Sequence, residues 1–297
     1  MGLEDDFCDM IKKARQGQGR SMTDIARSAQ VPQQALKELE QGKRNPTEDE
    51  ARNLSRALGL RVQPMIDIAI EGWVPRACPQ WVEQEETVIT ILGNIGGYAV
   101  KGYLVFDTET REAVLIDTGY NAPEVLARLT ERNLNLIAIC LTHGHTDHAG
   151  GIKDLLAKFP VPVYVGIDDI DLLPWTPPQT LLKVGQDKQI LPIGCLKLNF
   201  LATPGHTPGG FCYRLDHDKH PFCFVGDTLF AGSVGRSNPF SLYPSHLTSV
   251  RDIVLALPDR MVLFPGHGPS TTVQEERAHN PFAGKSAHDS VEMKTCH

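Results

Sequence analysis

Two kinds of hydrophobic periodicity divide the chain. In the N-terminal part, apolar residues recur every three or four positions with polar residues between them; from Ser21 onward they are Met22, Ile25, Ala26, Ala29, Val31, Leu36 and Leu39. This spacing predicts short amphipathic helices, the first capped by Ser21 or Thr23 and the next starting near Pro32. Thr47 followed by Glu50 is typical of a capping box and predicts a further helix.

From about residue 87 the pattern changes to short apolar strands with helices between them. The expected strands are 87–92, 99–106, 112–116, 137–141, 162–165, 189–191, 195–202, 210–215, 222–226 and 261–264, and the expected helices are 122–132, 150–158 and 245–256. Such alternation in two successive runs favours an α/β protein in which helices cover two sheets.

These patterns predict four regions. Residues 1–70 form an all-α domain, 71–86 a linker, 87–283 the α/β domain and 284–297 a mobile polar tail. Within the linker, Trp73 and Trp81 are expected to pack against a domain rather than to stay free. They would then join the two domains; the alternative is that they line the mouth of a functional site.

Composition places the chain among ordinary globular proteins, since 41% of its residues are hydrophobic and 22% are charged. Because it has no run of eighteen apolar residues and no apolar segment after a basic start, we expect neither secretion nor a membrane span. The seven cysteines are scattered without a Cys-x-x-Cys pair. That distribution argues against a disulfide framework and predicts a cytoplasmic protein.

Net charge also limits the function classes. The formal net charge is −7, while residues 1–70 are nearly balanced in charge. The chain as a whole is therefore not expected to bind nucleic acid nonspecifically.

The strongest chemical signal is a cluster of metal-binding side chains directly after an apolar stretch. His143, His145, Asp147 and His148 lie within six positions, in the run Thr-His-Gly-His-Thr-Asp-His. Protonating these imidazoles together would place like charges side by side, whereas a divalent cation binds neutral imidazole and ionised carboxylate. The cluster therefore predicts a metal site.

Three later turns each offer one more ligand at the end of an apolar stretch. His206 lies in Thr-Pro-Gly-His, Asp227 in Val-Gly-Asp and His267 in Pro-Gly-His. A glycine in such a turn lets the backbone come close to a site, and the strand behind it fixes the direction of the side chain. Five histidines and two aspartates would suffice for two metals that share a carboxylate. The remaining histidines lack such a context and are interpreted as surface residues: His217, His220, His246, His279, His288 and His297.

These motifs, in this order, resemble the metallo-β-lactamase-fold hydrolase superfamily over about residues 86–283. The resemblance implies a four-layer αββα sandwich. It also implies one metal held by His143, His145 and His206, a second held by Asp147, His148 and His267, and Asp227 as the bridge between them. Asp117 would orient a ligand histidine from outside the ligand set; the alternative is that it caps the helix from Ala122.

The N-terminal helices resemble the Cro/repressor type of helix-turn-helix domain, carried by residues 22–47 and 54–60. In that family the helix starting near Pro32 enters the major groove. Gln33, Gln34 and Lys37 would then face base edges, while Lys43, Arg44 and Asn45 would meet phosphates. Glu38 and Glu40 on the same helix, and the low net charge, leave a docking or dimerisation module as an equal alternative.

The first resemblance implies hydrolysis by a hydroxide between two divalent metal ions, zinc before iron or manganese, without a serine or cysteine nucleophile. Asp147 and Asp227 would orient that hydroxide and take up its proton. Residues 232–240 and 265–282 resemble the short glyoxalase II branch, which acts on thioesters. Ser233 and Arg236 are candidates to hold an anionic substrate end, although a structural role for this arginine is as plausible.

Several alternatives stay open at this level. The substrate is expected to be a small ester or thioester, but an iron-dependent persulfide dioxygenase, a lactonase or a β-lactamase would have a related sequence. From another class comes a DNA-binding regulator whose hydrolase-like domain senses a metabolite. The expected partners are thus a small-molecule substrate, DNA through residues 1–70 and a second copy of the chain in a homodimer, with no membrane.

Overall fold

The N-terminal part of the chain is helical. A computed structural model describes residues 2–76, 87–216 and 221–284. Its first helices are α1 (Phe7–Gly17), α2 (Met22–Ala29), α3 (Gln33–Glu40), α4 (Glu48–Ala57) and α5 (Val62–Ala69). Of the two candidate caps of α2, Ser21 is the one used, because its hydroxyl accepts from the Asp24 N–H at 3.1 Å. The capping box of Thr47 and Glu50 is confirmed at the start of α4.

Helix α1 was not expected from the sequence. It buries Phe7, Met10, Ile11 and Ala14 on one face, a spacing of three and four residues that the sequence already carries. The helix lies before Ser21, where the expected periodic pattern began. Its position matters because α1 packs against the α/β domain as well as against its own neighbours.

The α/β domain contains two six-stranded sheets. The first is formed by β1 (Val88–Ile95), β2 (Tyr98–Phe106), β3 (Glu112–Thr118), β4 (Asn135–Cys140), β5 (Val163–Val165) and β6 (Leu182–Val184), in that order. The second has the order β12-β11-β10-β9-β8-β7, formed by β7 (Ile190–Ile193), β8 (Leu196–Ala202), β9 (Phe211–Asp216), β10 (Phe222–Gly226), β11 (Val262–Pro265) and β12 (Thr271–Thr272). The two short strands β6 and β12 were not predicted.

Helices cover the outer faces of both sheets. They are α6 (Ala122–Glu131), α7 (Thr146–Ala149), α8 (Ile152–Leu156), α9 (Tyr243–Thr248), which continues as a π-helical turn over Ser249–Val254, and α10 (Val273–His279). Short 3-10 turns lie at Ile167–Leu172, Phe240–Leu242 and Pro281–Ala283. None of the described helices combines the length and the apolar character that a membrane span needs.

Alternating residues of one strand serve two different cores. In β3, Val114 and Ile116 point to the core between the sheets, whereas Ala113 and Leu115 point to the core under the outer helices. Because side chains alternate across a strand, a strand buried on both faces becomes a continuous apolar run. The predicted four-layer αββα sandwich, preceded by a small helical domain, is confirmed.

The helical domain packs directly on the second sheet. One hydrophobic cluster contains Met10 and Leu36 from the helices together with Val225 from β10 and Leu263 from β11. Trp73 stacks on His279 with 4.9 Å between ring centroids, so the expectation that this tryptophan packs against a domain is confirmed. Trp81 lies outside the described residues.

Candidate metal centre

Four loops bring the seven candidate ligands to one edge of the sandwich. The loop after β4 leads into α7, the second loop joins β8 to β9, and the others follow β10 and β11. Close approach requires glycine at Gly266, where a Cβ would lie 2.4 Å from His148 Cε1 and 2.5 Å from Asp227 Oδ1. The strand ends thus fix the directions of the side chains, and the glycine lets them meet.

His143, His145 and His206 form the first group of ligand atoms. His206 Nε2 lies 3.0 Å from His145 Nδ1, and one nitrogen from each residue falls within 4.8 Å of the others. Three imidazole nitrogens at this separation suit a single divalent cation.

Asp147, His148 and His267 lie beside that group. Asp147 Oδ2 is 3.7 Å from His148 Nε2 and 3.3 Å from His267 Nε2. Asp227 lies between the two sets of histidines. Its carboxylate is 3.3 Å from His148 Nε2 and 3.6 Å from both His206 Nε2 and His267 Nε2. A carboxylate at these distances can reach a cation in either group.

The buried ligand atoms are not fully hydrogen-bonded to one another, which favours a divalent cation between them. His143 Nε2, His148 Nε2 and Asp227 Oδ1 belong to residues at most 8% exposed and make no well-aligned hydrogen bond, although His148 Nε2 and Asp227 Oδ1 lie 3.3 Å apart. Each unpaired buried polar atom costs about 1–3 kcal/mol. Because all three point into one cluster, a cation there would satisfy them together.

In four of the histidines, Nδ1 makes a polar contact on the side of the ring away from Nε2. His206 Nδ1 donates to the Arg236 carbonyl at 2.7 Å, and His267 Nδ1 to the Ala99 carbonyl at 2.6 Å. His143 Nδ1 lies 3.1 Å from the Thr142 hydroxyl. Such contacts select the tautomer that leaves Nε2 free to bind a metal.

Asp117 supplies the fourth of these contacts. Its Oδ2 lies 2.8 Å from His148 Nδ1, and the carboxylate also accepts from the Thr142 N–H and hydroxyl, both at 2.7 Å. Its φ of 53° is a left-handed conformation that costs a non-glycine residue energy. The cap of α6 is instead Asn121, which accepts from the Glu124 N–H. Asp117 therefore contacts His148 and does not cap α6.

The protonation states of the histidines and aspartates also favour a bound cation. Burial lowers the pKa of His143 well below its usual value and that of His206 to about 3, so both stay neutral. Although burial opposes the charge, His148 and His267 hold the pKa of Asp227 well below its usual range. Against the effect of burial, Asp227 and Asp147 raise the pKa of His267 to about 9. A cation would replace the proton that these carboxylates attract.

Asp169 was missed by sequence reasoning. It is fully buried and accepts from Gly144 N at 3.0 Å, Thr207 Oγ1 at 2.7 Å and Gly209 N at 2.7 Å. These contacts tie the loop of His143 and His145 to the loop of His206. No motif marks this residue in the sequence, where it lies next to the exposed Asp168.

The interpretation of His246 as a surface residue was wrong. It is fully buried, with Nε2 2.8 Å from the Thr228 carbonyl oxygen and Nδ1 3.1 Å from the Ser237 hydroxyl, and burial lowers its pKa to about 4. Residues 228–237 cover α9, the helix that carries His246. The buried Thr228 carbonyl and Ser237 hydroxyl need a hydrogen-bond partner there, and His246 provides it. His217, His220, His288 and His297 lie outside the described residues.

The two substrate candidates occupy different surroundings. Ser233 is fully buried, and its hydroxyl donates to Asp5 Oδ2 of the helical domain, so it is not open to a substrate here. Arg236 is exposed, with its guanidinium carbon 4.8 Å from the ring centroid of Phe240. Its backbone carbonyl accepts from His206 Nδ1, so the residue lies next to the metal centre through its main chain.

The DNA candidates lie on and after α3. Gln33, Gln34, Lys37, Lys43 and Asn45 are exposed. The Gln34 side chain donates to Glu38 at 2.8 Å. Arg44 is half-buried and makes two hydrogen bonds to Glu50, at 2.8 and 2.6 Å. This arginine is therefore already paired within the domain.

Two family models match the chain. One, described as the metallo-β-lactamase superfamily, matches residues 95–267, and the other, described as helix-turn-helix, matches residues 11–64. The hydroxyacylglutathione hydrolase GloC of Haemophilus influenzae is 32% identical over 194 residues, which are 60% of this chain and 90% of that protein.

Solved structures show the same fold. The B3 metallo-β-lactamase BLEG-1 is 29% identical with a TM-score of 0.59, covering 66% of this chain and 100% of that one. TTHA1623, solved in a di-iron-bound form, is 30% identical with a TM-score of 0.55, covering 65% of this chain and 99% of that one. About two-thirds of the chain is thus similar to these proteins.

Proposed function

The chain belongs to the metallo-β-lactamase superfamily, and from this premise we propose that it hydrolyses a small ester or thioester with two divalent cations. The observation that carries the proposal is the group of three buried ligand atoms without a well-aligned hydrogen bond, on His143, His148 and Asp227. Buried polar atoms are as a rule hydrogen-bonded, so three poorly satisfied ones in a single cluster favour a ligand there.

The proposed ligand sets follow the two groups of side chains. His143, His145 and His206 would hold one cation, Asp147, His148 and His267 the other, and Asp227 would bridge them. Asp117 would orient His148 through its Nδ1 contact. We propose these roles for the α/β domain, residues 87–283, and treat 71–86 as the linker from the helical domain, 1–70.

When bound, two such cations lower the pKa of a water molecule towards about 7 and polarise a substrate carbonyl. Asp147 and Asp227 would then orient that water and accept its proton. Asp147 suits proton transfer better, because it is half-buried and thus open to solvent, whereas Asp227 is 8% exposed. No serine or cysteine nucleophile is needed.

The substrate class rests on similarity and on the rim of the site. GloC is a hydroxyacylglutathione hydrolase by name, which supports a thioester. Tyr120 packs against Gly150, two residues after His148, and is 43% exposed. An exposed aromatic ring beside the ligands suits an apolar acyl group, and Arg236 could pair with an anionic end.

The metals are proposed as zinc first, with iron or manganese as alternatives, since imidazole with carboxylate suits all three. The di-iron form of TTHA1623 keeps iron in contention. If the chain held one iron and took up oxygen with a persulfide substrate, it would be a dioxygenase and the hydrolase proposal would be wrong.

The test combines metal analysis of the purified chain with a panel of thioester, lactone, β-lactam and phosphodiester substrates. We expect about two metal ions per chain and fastest turnover of a thioester. His145→Ala and Asp227→Ala should each lower both metal content and turnover. Unchanged metal content and turnover in both variants would contradict the proposed site.

A second function is DNA binding by the helical domain, with the α/β domain destroying or sensing a metabolite. It is favoured by α3, whose Gln33, Gln34 and Lys37 side chains are exposed side by side. A shift assay with the full chain at increasing salt tests it, because phosphate contacts make affinity fall steeply with salt. If no DNA binds even at low salt, a docking or dimerisation role of this surface is left.

A further inference from the structure

The segment from Phe230 to Arg236, here called the 230–236 loop, touches the metal ligands directly. A Cβ on Gly235 would lie 1.9 Å from the Asp227 carbonyl oxygen and 3.0 Å from His206 Nδ1, so only glycine fits. The Arg236 carbonyl accepts from His206 Nδ1 at 2.7 Å. At the other end of the loop, the Phe230 ring meets His267 edge-on at 5.8 Å.

The opposite side of this loop is held by the helical domain. Lys13 of α1 donates to the Val234 carbonyl at 3.0 Å, and its Nζ lies 5.2 Å from the Phe230 ring centroid. Asp5, just before α1, pairs with Lys13 at 2.5 Å and accepts from the Ser233 hydroxyl. Two charged side chains of the helical domain therefore hold the loop that backs His206 and His267.

Residues 4–13 of the helical domain also reach the loop that carries His267. A Cβ on Gly268, directly after His267, would lie 3.1 Å from both N and Cβ of Glu4. Residues 4–13 thus line two of the loops that carry the ligands. Asp5 is 6% exposed and the Lys13 side chain 15% exposed. Loss of one partner would leave a buried charge uncompensated, which moves the surrounding backbone or unfolds it.

We propose that Asp5 and Lys13 are positioning residues of the metal centre, which makes the helical domain a structural part of the active site. The inference rests on the proposed function, because it assigns these residues to the same metals. They act through the 230–236 loop, whose Arg236 carbonyl holds His206 and whose Phe230 ring packs against His267. Neither side chain belongs to the proposed ligand sets.

The test is Co²⁺ binding by the full chain, followed by absorption spectroscopy and by competition with a chelator. Asp5→Asn and Lys13→Met should each retain Co²⁺ about tenfold more weakly than the parent, the lower end of what outer contacts of metal ligands are worth. Their Co²⁺ spectra should shift, because two imidazoles change direction. Lys13→Arg, which keeps the charge, should bind more like the parent.

A matched control exists within the helical domain. Arg15 and Glu40 form a comparably buried ion pair, at 2.6 Å, that does not contact the 230–236 loop. Glu40→Gln and Arg15→Met should lower the melting temperature while leaving Co²⁺ affinity and spectrum as in the parent. This pattern separates positioning from a general loss of stability.

Three outcomes decide the matter. Parent-like Co²⁺ affinity and spectra in Asp5→Asn and Lys13→Met would overturn this inference alone. A parent chain that binds no Co²⁺ would overturn the proposed function and this inference together. If Asp5→Asn does not fold, Ser233→Ala removes a single hydrogen bond to Asp5 and must still shift the spectrum, and an unchanged spectrum counts against the proposal.

Discussion

The metal centre and the surface of α3 differ in how far their polar groups are hydrogen-bonded within the protein. At the metal centre, His143 Nε2, His148 Nε2 and Asp227 Oδ1 are buried without a well-aligned hydrogen bond. On the helical domain, Arg44 is held by two hydrogen bonds to Glu50, and Gln34 by one to Glu38. The first region leaves buried ligand atoms available to a cation, whereas the second already satisfies much of its own charge.

This difference shows how strongly each region predicts a ligand. Burial makes the poorly paired atoms of the metal centre costly, so the fold favours a cation there. The surface groups of α3 lie near water and lose little by pairing with each other. A phosphate would have to compete with Glu50 for Arg44, and the DNA proposal therefore rests on the remaining exposed side chains.

The largest effect is expected from Asp227→Ala, which removes the carboxylate shared by both ligand groups. Several kcal/mol of charge stabilisation would be lost, which corresponds to a fall in turnover of about 10³-fold. Metal content by mass spectrometry should drop in the same variant. Asp168→Ala, at an exposed carboxylate, is the control and should match the parent. Full metal content in Asp227→Ala would contradict the proposal that Asp227 binds the metals.

Metal removal should destabilise the whole chain. At a free metal concentration about 100 times Kd, binding stabilises the folded state by about 2.7 kcal/mol. Treatment with a chelator should therefore lower the melting temperature by several degrees, measured by circular dichroism and reversed by added metal. Because one hydrophobic cluster joins the helices to the second sheet, both regions should melt together. A melting temperature indifferent to the chelator would show that the buried atoms need no cation.

Asp117→Asn tests the contact behind one ligand. An amide NH₂ facing His148 Nδ1 would favour the tautomer with a proton on Nε2, which cannot bind a metal. We expect metal affinity to fall about 10- to 100-fold, measured by chelator competition. Asp107→Asn is the control, since Asp107 is also buried and accepts backbone N–H groups, from Thr110 at 2.7 Å and Cys195 at 3.1 Å. Equal losses of affinity in both variants would indicate general destabilisation.

The smallest effect is expected at Glu50. Its hydrogen bonds with Arg44 lower the pKa of Glu50 from 4.5 to about 2. A lowered pKa in the folded state means that this pair stabilises the protein above pH 4.5, and that the stabilisation is lost as the pH falls towards 2. The pair is partly exposed, so its contribution is about 1 kcal/mol or less.

Glu50→Gln checks this value, because glutamine can keep the capping box with Thr47 while losing the charge. Urea denaturation at pH 7 should show the variant slightly less stable than the parent, and the difference should vanish near pH 2. A difference that does not change with pH would contradict the ion pair. The variant also removes one of the two carboxylates that pair with Arg44, Glu38 being the other, so a rise in DNA affinity would support phosphate contacts on this surface.

Local patterns predicted much of the fold. Strand β3 was readable because burial on both faces makes Ala113 to Ile116 continuously apolar. Helix α1 was readable but overlooked, whereas the two-residue strand β12 is too short to produce a periodic signal. The π-helical turn over Ser249–Val254 was predicted only as helix, since periodicity does not distinguish the two.

The candidate site divides in the same way. The cluster from His143 to His148 is local, so its residue types alone predict a cation. Asp169 could not be identified, because its partners Gly144 and Gly209 lie 25 and 40 positions away. His246 was misassigned for a related reason: its partner on Thr228 is visible only in the fold.

By itself, the sequence determined two things: which side chains can bind a metal, and where helices and strands alternate. Both follow from residue chemistry and from spacing along the chain. The tertiary structure alone decided that Ser233 faces Asp5, 228 positions earlier, rather than a substrate. It also decided that α1 lies behind the loop that holds His206. Burial and hydrogen-bond partners depend on which distant segments meet, and that is fixed by packing of the whole chain.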